Sequence, residues 1–454
     1  MLKFSKDFQI GAAISAIQTE GAGLTKKGDT IFEMQYKKKK AEFFEGIGPN
    51  ITSDFMRNYK TDLKMLSEIK LTSLRTSFSW ARLYPDGKNL DNEAVKYYHN
   101  YLDECIKNNI IPHMCLFHFD MPAWASELGG WSSEVVIESF IKYADFIFSE
   151  YGAKVKYFTT FNEPLNPIVG GFLGDGFEPY VNDPRLAIQQ AYGMILAHAK
   201  VVEIFREKNY HKDSKIGIVF DWNYTYPFSE SENDKYSAKI FDAYINKGPL
   251  KILAQGVIDD FLVDSLKKYQ MLPKYTKSEI EIIKKVKVDF LGINYYFPKR
   301  AAYVECNNPR FEMDNVTQKI PADAIMNVHR GWEIYPQALY DIGLALKNEF
   351  QNIPWYIGEC GMGVQNEDLY RDKNGMINDD YRIDFLEKHL EQIKRVIDMG
   401  SNCFGFHVWA AIDCWSFRNA YKNRYGLIEV NLKNQERRFK KSAYWYKKLI
   451  ENRS

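Results

Sequence analysis

The chain has 454 residues, 45% of them hydrophobic and 15% aromatic, which is enough apolar material for a large core and argues against global disorder. Its 60 Lys and Arg residues balance 59 Asp and Glu residues, so the net charge of +1 provides no broad field that would attract nucleic acid or an anionic membrane. Six scattered cysteines without a Cys-x-x-Cys pair favour reduced thiols over disulfides or a zinc site.

Short runs rich in β-branched and aromatic residues recur along the chain, with helical patterns between them. They predict eight strands, over Phe8–Ser15, Leu71–Trp80, Ile110–His118, Lys156–Asn162, Lys215–Asp221, Val288–Tyr296, Trp355–Glu359 and Cys403–Trp409. Apolar residues at helical spacing predict amphipathic helices, over Asp54–Ile69, Val95–Ile106, Val136–Phe148 and Ile383–Met399. The order of the chain is therefore strand, helix, strand, helix.

Each helix in this order is a crossover, so successive strands must pair in parallel. Eight such units predict an α/β fold, a single (β/α)8 TIM barrel with its active site at the carboxyl ends of the strands. No linker or fixed repeat interrupts the chain, and we expect one domain over residues 1–454. The polar stretches 172–184 and 298–328 are predicted to be long loops that shape a cleft at the barrel mouth, or else tolerated insertions.

Polar residues end three of the predicted strands. The endings are Phe117-His118-Phe119-Asp120, Thr160-Phe161-Asn162-Glu163-Pro164 and Tyr356-Ile357-Gly358-Glu359-Cys360-Gly361. Because the carboxyl ends of barrel strands share one face, Glu163 and Glu359 are expected to meet there. Two carboxyl groups about 5 to 5.5 Å apart suit cleavage of an acetal by an acid and a nucleophile. Taken separately, each is explained as well by a hydrogen-bonded carboxylate at a strand end.

Arg75 is a cation inside an otherwise apolar predicted strand. A buried arginine needs an anion, and a catalytic carboxylate is the natural partner. The alternative is a structural ion pair with some other core acid. Repulsion between two catalytic carboxyl groups would also keep one of them protonated as an acid until the other becomes a neutral ester.

The motif Thr160–Pro164 resembles the acid/base signature of glycoside hydrolase family 1, and Ile357–Gly361 resembles its nucleophile signature. The resemblance covers nearly the whole chain. It implies retaining hydrolysis of β-glycosides, with Glu163 as general acid/base and Glu359 as nucleophile.

The resemblance also implies roles for side chains elsewhere in the chain. The sugar-binding residues that it implies are Gln18, His118, Asn162, Asn294 and Trp409. Tyr296 matches a position that hydrogen-bonds the nucleophile, as Arg75 would, and Trp332 matches one that lines the leaving-group side. Amides, an imidazole and indoles provide hydrogen bonds and ring stacking to a neutral polyol, although each residue alone is explained as well by core packing.

Three features of the sequence depart from the family pattern, two at single residues and one at a pair of residues. Cys360 follows the nucleophile where the family usually has Asn, and Phe119 stands where Trp is common. Ser416-Phe417 replaces a Glu-Trp pair whose glutamate clamps two sugar hydroxyls in members that act on unphosphorylated glucosides. Loss of that anion removes a repulsion against phosphate, and a serine offers a hydrogen-bond donor.

The basic, tyrosine-rich segment 418–426 that follows resembles the phosphate-binding loop of the 6-phospho-β-glycosidases in this family. The resemblance implies phosphate contacts from Ser416, Lys422 and Tyr425. In some 6-phospho-β-galactosidases the lysine falls at the position of Asn423, so Lys422 matches a subset that resembles 6-phospho-β-glucosidases. A solvated basic surface loop is the alternative.

The expected partner is therefore a small phosphorylated β-glycoside, with no nucleic acid, no membrane partner and no prediction of oligomeric state. No metal-ligand spacing or nucleotide fingerprint is present, so no cofactor or metal is expected. The chain start lacks the apolar segment of a signal peptide, and no apolar run approaches the roughly 18 residues of a membrane span. We expect a cytoplasmic protein, since sugars imported by a phosphotransferase system arrive there phosphorylated.

Three rival functions follow from the same residues. A β-glucosidase of the same family would act on unphosphorylated glucosides, and a 6-phospho-β-galactosidase would prefer the galacto configuration. A non-catalytic sugar-phosphate binding protein on a degenerate barrel would be expected to lack one of the two carboxylates, and this chain has both.

Overall fold

A computed structural model describes residues 2–174 and 176–454 and confirms a closed barrel of eight parallel strands. The barrel strands, labelled β1 to β8, are Gln9–Ala13, Ser73–Ser77, Ile111–Phe117, Tyr157–Asn162, Lys215–Asp221, Phe290–Asn294, Trp355–Cys360 and Cys403–Trp409. Each strand pairs with the next, and β8 pairs with β1 to close the barrel. The eight predicted strands are therefore present, in the predicted order.

Five strands are shorter than predicted, β2 and β6 most of all, because apolar side chains continue beyond the hydrogen-bonded ladder. In β2 the predicted range reaches Trp80, but Trp80 begins a short helix, Trp80–Leu83. After β6, Tyr295 is buried and its N–H donates to the carbonyl of Glu359 at 2.9 Å. Burial alone therefore does not mark the end of a strand.

Helices follow the barrel strands as the crossover rule requires. The helices are Ala16–Thr19, Ile31–Lys39, Phe55–Glu68, Trp80–Leu83, Asn92–Lys107, Ala123–Glu127, Glu134–Tyr151, Asn166–Phe172, Pro184–Lys208, Glu232–Tyr244, Lys247–Gln255, Asp260–Lys268, Lys277–Lys284, Gln337–Glu349, Asp380–Asp398 and Lys441–Glu451. The side chain of Asp183 caps the longest of them by accepting from the N–H groups of Arg185 and Leu186. Local chemistry thus fixes where this helix starts.

The stretch 298–328 has secondary structure of its own, which corrects the prediction of a loop. Lys299–Tyr303 pairs with Thr225–Pro227 and Val316–Gln318 in a three-stranded sheet. The end of the stretch forms half of a hairpin, Met326–Asn327 paired with Trp332–Glu333. Such strands are too short for alternation of side chains to reveal them.

Two smaller features complete the layout. Ile428–Val430 and Arg437–Phe439 form an antiparallel pair after β8. The predicted loop 172–184 separates a helix that ends at Phe172 from one that begins at Pro184, and it includes Asp175, which lies outside the described residues.

The barrel interior changes from aromatic to polar along its axis. Near the amino ends of the strands, Tyr157, Phe290 and Tyr356 form a buried cluster against which Phe404 packs. His113 stacks on Tyr157 with the ring centroids 4.4 Å apart. Since aromatic rings fill this half of the barrel, the inward-facing charged and amide groups collect at the carboxyl ends of the strands.

A buried network of ion pairs lies behind the segment that follows β8. Arg382 contacts Glu367 and also Asp379, the latter at 2.8 Å. Lys440 contacts Glu367 at 2.5 Å and Asp413 at 2.9 Å. Each of these side chains is at most 3% exposed. Because a buried charge is costly unless it is paired, each member depends on the others.

The same network anchors the segment 413–426 through its backbone. Arg382 Nη1 donates to the carbonyl of Tyr425 at 2.9 Å, and the N–H of Gly426 donates to Asp413 at 2.9 Å. The network therefore holds the backbone of this segment at Tyr425 and Gly426.

Replacing Arg382 with Met is expected to lower the free energy of unfolding by about 3–5 kcal/mol, because two buried carboxylates lose their partner. Urea denaturation of the purified variant measures this loss. Lys388→Met is the matched control on the same helix, since Lys388 pairs with Asp384 while its side chain is 54% exposed. The control should change stability by no more than about 0.5 kcal/mol. Equal losses in the two variants would contradict the role of the network.

Candidate active site

Glu163 and Glu359 lie at the carboxyl ends of β4 and β7, on one face of the barrel. Glu163 follows β4 directly, with a φ of +46°, a left-handed conformation that non-glycine residues rarely adopt. Its N–H donates to the carbonyl of Val219 at 2.9 Å. Glu359 lies inside β7 and is the Cα partner of Asn294 in β6. Asn294 Nδ2 donates to Glu163 Oε1 at 2.6 Å, so one amide connects the ends of these strands.

The carboxylate of Glu359 is held from both sides. The guanidinium of Arg75 donates to Oε1, and the hydroxyl of Tyr296 donates to Oε2 at 2.6 Å. Burial lowers the pKa of Arg75, but the charge and hydrogen bond of Glu359 and other nearby groups together raise it above its usual value, so Arg75 remains a cation. Burial and the charge of Glu359 raise the pKa of Tyr296 well above its usual range, so this hydroxyl keeps its proton and donates. Both contacts favour an ionised, oriented carboxylate.

The carboxyl group of Glu163 has different surroundings. Burial, followed by the charges of Asp221 and Glu359, raises its pKa well above the usual range. Hydrogen bonds from Asn294 and Asn166 oppose the rise but do not reverse it. Glu163 is therefore protonated at a pH where ordinary carboxyl groups are ionised. The two carboxyl groups at the barrel mouth thus differ in their partners, a cation for Glu359 and neutral amides for Glu163.

Asp221 is a third carboxyl group at this site, and the sequence analysis did not single it out. It ends β5, and Asn166 Nδ2 donates both to its Oδ2 at 3.3 Å and to Glu163 Oε2 at 2.6 Å. Asn223 donates to the same Asp221 oxygen at 3.0 Å. Burial raises the pKa of Asp221 to about 7, with a further contribution from the charge of Glu359. The signal that could have found it is its place, since it ends a predicted barrel strand as Asn162 does.

Three of the predicted sugar-binding residues lie together beside Arg75. His118 Nδ1 is 3.4 Å from Arg75 Nη2, and His118 Nε2 is 3.3 Å from the amide nitrogen of Asn162. Asn162 Oδ1 accepts from Arg75 and, at 3.0 Å, from Asn294. Burial and the charge of Arg75 lower the pKa of His118 well below its usual range, so the imidazole is neutral. Asn294 Oδ1 is buried without a protein partner, which leaves an acceptor in the site.

Gln18 and Trp409 lie on the β1–β8 side of the barrel. Trp409 ends β8, and its ring is nearly parallel to that of His118, with a centroid distance of 6.3 Å. Gln18 Nε2 donates to the carbonyl of Trp415 at 2.9 Å. Gln18 therefore contacts the residue that precedes Ser416, which connects the predicted sugar site to the predicted phosphate site.

Trp332 lies in the hairpin between β6 and β7. Its ring centroid is 5.5 Å from that of Tyr296 and 5.1 Å from that of Phe297. The guanidinium of Arg330 lies over the same indole, 4.2 Å from its centroid. Through Tyr296, which donates to Glu359, the indole of Trp332 is adjacent to the carboxylate pair.

The predicted phosphate residues lie in the segment that continues β8. Ser416 and Lys422 are partly exposed and belong to a tight turn, in which the N–H of Ser416 donates to the carbonyl of Ala420 and that of Lys422 to the carbonyl of Asn419. Tyr425 is 3% exposed and packs with Trp409 in a cluster to which Tyr296 is adjacent. Burial raises its pKa to about 12.

The cations of this segment differ in their partners. Arg418 pairs with Glu42 at 3.1 Å, and Arg424 pairs with Asp413 at 3.6 Å. Lys422 has no carboxylate within 4.0 Å in the described part of the chain. Of these three, Lys422 is the cation whose charge is not matched within residues 2–174 and 176–454.

Several structural absences hold for residues 2–174 and 176–454. No group of three His, Cys, Asp or Glu side chains is arranged to hold a metal ion. None of the helices there has the length and apolar character needed to cross a membrane. The six cysteines, all of which are described, form no disulfide.

Comparison with known proteins identifies relatives over the full length. The Glycosyl hydrolase family 1 model matches residues 1–454. The "6-phospho-beta-glucosidase GmuD" of Bacillus subtilis is 40% identical over 457 residues, which cover 99% of this chain and 98% of the relative. A "6-phospho-beta-galactosidase" of Clostridium acetobutylicum is 34% identical and covers 99% of this chain and 97% of its own.

Solved structures show the same architecture. The "Family 1 b-glucosidase from Thermotoga maritima" superposes with a TM-score of 0.91 at 27% identity, covering 100% of this chain and 99% of its own. This similarity confirms the barrel.

Proposed function

Because the chain belongs to glycosyl hydrolase family 1, we propose that it hydrolyses 6-phospho-β-glucosides with retention, using Glu163 as general acid/base and Glu359 as nucleophile. The proposal includes one catalytic domain over residues 1–454 and a cytoplasmic location. The observation that supports the chemistry best is the contrast between the carboxyl groups. Glu359 accepts from Arg75 and Tyr296, whereas the pKa of Glu163 is raised.

In the first step, a carboxylate oxygen of Glu359 forms a bond to the anomeric carbon while the bond from that carbon to the leaving oxygen breaks. The proton of Glu163 passes to the leaving oxygen, so the leaving group departs as an alcohol. Arg75 and Tyr296 orient the attacking carboxylate. The raised pKa of Glu163 keeps its proton available near neutral pH.

In the second step, Glu163 takes a proton from water, and the water oxygen forms a bond to the anomeric carbon as the ester bond to Glu359 breaks. Esterification removes the negative charge of Glu359, which is one of the groups that raise the pKa of Glu163. The pKa of Glu163 therefore falls in the intermediate, which suits its second role as a base.

We assign the sugar contacts to polar and aromatic side chains beside the carboxyl pair. The proposed sugar-binding side chains are Gln18, His118, Asn162, Asn294 and Trp409. Among them, Asn294 Oδ1 has no protein partner, so it offers an acceptor to a sugar hydroxyl. The neutral imidazole of His118 suits an uncharged polyol. Trp332, packed on Tyr296, is the proposed surface for the leaving group.

We assign the 6-phosphate to Ser416, Lys422 and Tyr425. Lys422 supports this assignment because its charge has no carboxylate partner in the described chain, whereas Arg418 and Arg424 are paired. Gln18 contacts the residue before Ser416, so the turn is adjacent to the proposed sugar site. The relative named as a 6-phospho-beta-glucosidase supports the gluco configuration.

The 6-phosphate of p-nitrophenyl β-glucoside should be hydrolysed with a kcat/KM at least about a hundredfold above that of the plain glucoside, or about 2.7 kcal/mol of transition-state binding. Lys422→Gln should reduce this ratio, since it removes the unmatched cation, whereas Lys433→Gln, at an exposed lysine, should not. Steady-state kinetics measure both. Equal rates for the two wild-type substrates would favour the β-glucosidase rival, and faster 6-phospho-galactosides the galactosidase rival.

Glu359→Gly should abolish hydrolysis, because no group remains to attack the anomeric carbon. Azide should restore turnover and give the α-glycosyl azide, which NMR of the product identifies. Glu163→Ala should instead slow poor leaving groups by about 10²–10⁴-fold while sparing activated ones. The reverse pattern would exchange the two roles.

Asp221→Asn should lower the pKa of Glu163, because the charge of Asp221 helps to raise it. Activity requires protonated Glu163 in the first step and is lost as pH rises through its pKa, so the alkaline limb of kcat/KM should move down by about one pH unit. The pH profile with an unactivated substrate measures this shift.

The matched control is Asp213→Asn. Asp213 is an exposed acid just before β5, at the end of the strand opposite Asp221. Its loss removes the same charge far from Glu163 and should leave the alkaline limb in place. An unchanged alkaline limb in the Asp221 variant would show that burial and the charge of Glu359 alone raise the pKa of Glu163.

A further inference from the structure

Arg330 lies in the turn of the hairpin formed by Met326–Asn327 and Trp332–Glu333, outside the residues assigned above. The turn is closed by the N–H groups of Arg330 and Gly331, which donate to the carbonyl of Asn327 at 3.1 and 2.8 Å. The position of Arg330 is therefore fixed by the backbone of a tight turn.

The guanidinium of Arg330 has no carboxylate partner among the described residues. No carboxylate of the described chain lies within 4.0 Å of it, and its Nε is buried without a hydrogen-bond partner. By contrast, Arg300, which follows β6, makes two hydrogen bonds to Glu333, at 2.6 and 3.0 Å. A partly buried arginine with an unused donor is costly unless a ligand supplies the acceptor.

Two contacts connect the hairpin turn that carries Arg330 to the segment 416–425. Arg330 Nη1 is 3.5 Å from Asn423 Oδ1, and Asn423 Nδ2 donates to the carbonyl of His329 at 3.4 Å. Asn423 is 1% exposed and follows Lys422 directly. The positive charge of Arg330 also acts on Tyr425. It lowers the pKa of this hydroxyl, against the larger effect of burial, which raises it. Arg330 is thus near two of the residues assigned to the phosphate.

The stacking of Arg330 on Trp332 holds the planar group in one orientation. A planar guanidinium presents two parallel N–H groups to two oxygens of a phosphate, a contact that lysine cannot make. A dianion between Lys422 and Arg330 would match two charges that the protein leaves unmatched.

We propose that Arg330 is a specificity-determining residue that binds the 6-phosphate together with Lys422, an inference that rests on the proposed function. The competing role is a contact with the leaving group, because Trp332 is assigned to that side. The two roles predict different kinetic losses when Arg330 is replaced. Loss of a phosphate contact should slow the phosphorylated substrates and should not vary with the aglycone. Loss of a leaving-group contact should vary with the aglycone and should not depend on the phosphate.

The test compares Arg330→Met and Arg330→Lys with the wild type on aryl β-glucosides and their 6-phosphates, each with p-nitrophenyl and 4-methylumbelliferyl aglycones. In Arg330→Met, the ratio of kcat/KM for phosphorylated over plain substrate should fall about tenfold or more, as loss of a charged hydrogen bond predicts. The fall should be the same for both aglycones. Arg330→Lys should recover part of the ratio, since it keeps the charge but not the paired N–H groups.

Competitive inhibition by inorganic phosphate gives a second measurement that does not depend on turnover of a phosphorylated substrate. Its inhibition constant should rise about tenfold in Arg330→Met, through the same lost contact. Thermal unfolding of each variant verifies that the fold is intact, and the conservative Lys variant serves if the Met variant is unstable.

Each adverse outcome has a distinct meaning. A wild-type ratio near one would reject the phosphorylated substrate, and the proposal with it. A high wild-type ratio that Arg330→Met leaves unchanged would reject the role of Arg330 alone. An equal loss on plain and phosphorylated substrates that varies with the aglycone would assign Arg330 to the leaving group and also overturn the proposal.

Discussion

The site is organised around one buried cation. Arg75, 1% exposed in the barrel, is stable as a charge only if anionic and polar acceptors surround it. Glu359 and Asn162 provide them, from β7 and β4, and His118 lies beside the same guanidinium. The arginine therefore determines which groups can stand at this end of the barrel. Its guanidinium donates to the carboxylate of Glu359 in a place where burial alone favours a neutral acid.

The carboxyl group of Glu163 differs from that of Glu359 because no cation of the described chain pairs with it. Glu163 accepts hydrogen bonds from two neutral amides, those of Asn294 and Asn166, and no cation within residues 2–174 and 176–454 contacts it. Asp221 adds a further acid through the shared amide of Asn166. Different neighbours thus give two chemically identical side chains the different properties that the proposed nucleophile and the proposed proton donor need.

Some of this arrangement could be predicted from the sequence, and some could not. Glu163 and Glu359 could be predicted because residues at the ends of barrel strands converge whatever their separation along the chain. Asp221 obeys the same rule, but its importance depends on Asn166, four residues beyond Asn162 in a helix, which no strand pattern locates. Arg330 lies in the turn between two strands of two residues each, which are too short for periodicity to reveal. Its relation to the phosphate turn depends on packing between distant loops.

The ion-pair network behind β8 affects how substrate recognition can change by mutation in a barrel of this kind. Arg382 and Asp413 hold the turn through the carbonyl of Tyr425 and the N–H of Gly426, groups that every amino acid except proline provides. The backbone of the turn is thus supported without the side chains of Ser416 and Lys422. On the proposed assignment, substitution at Ser416 or Lys422 would change recognition of the phosphate while these two backbone hydrogen bonds remain, so a barrel with this anchor could acquire or lose recognition of a charged sugar by few mutations and without refolding.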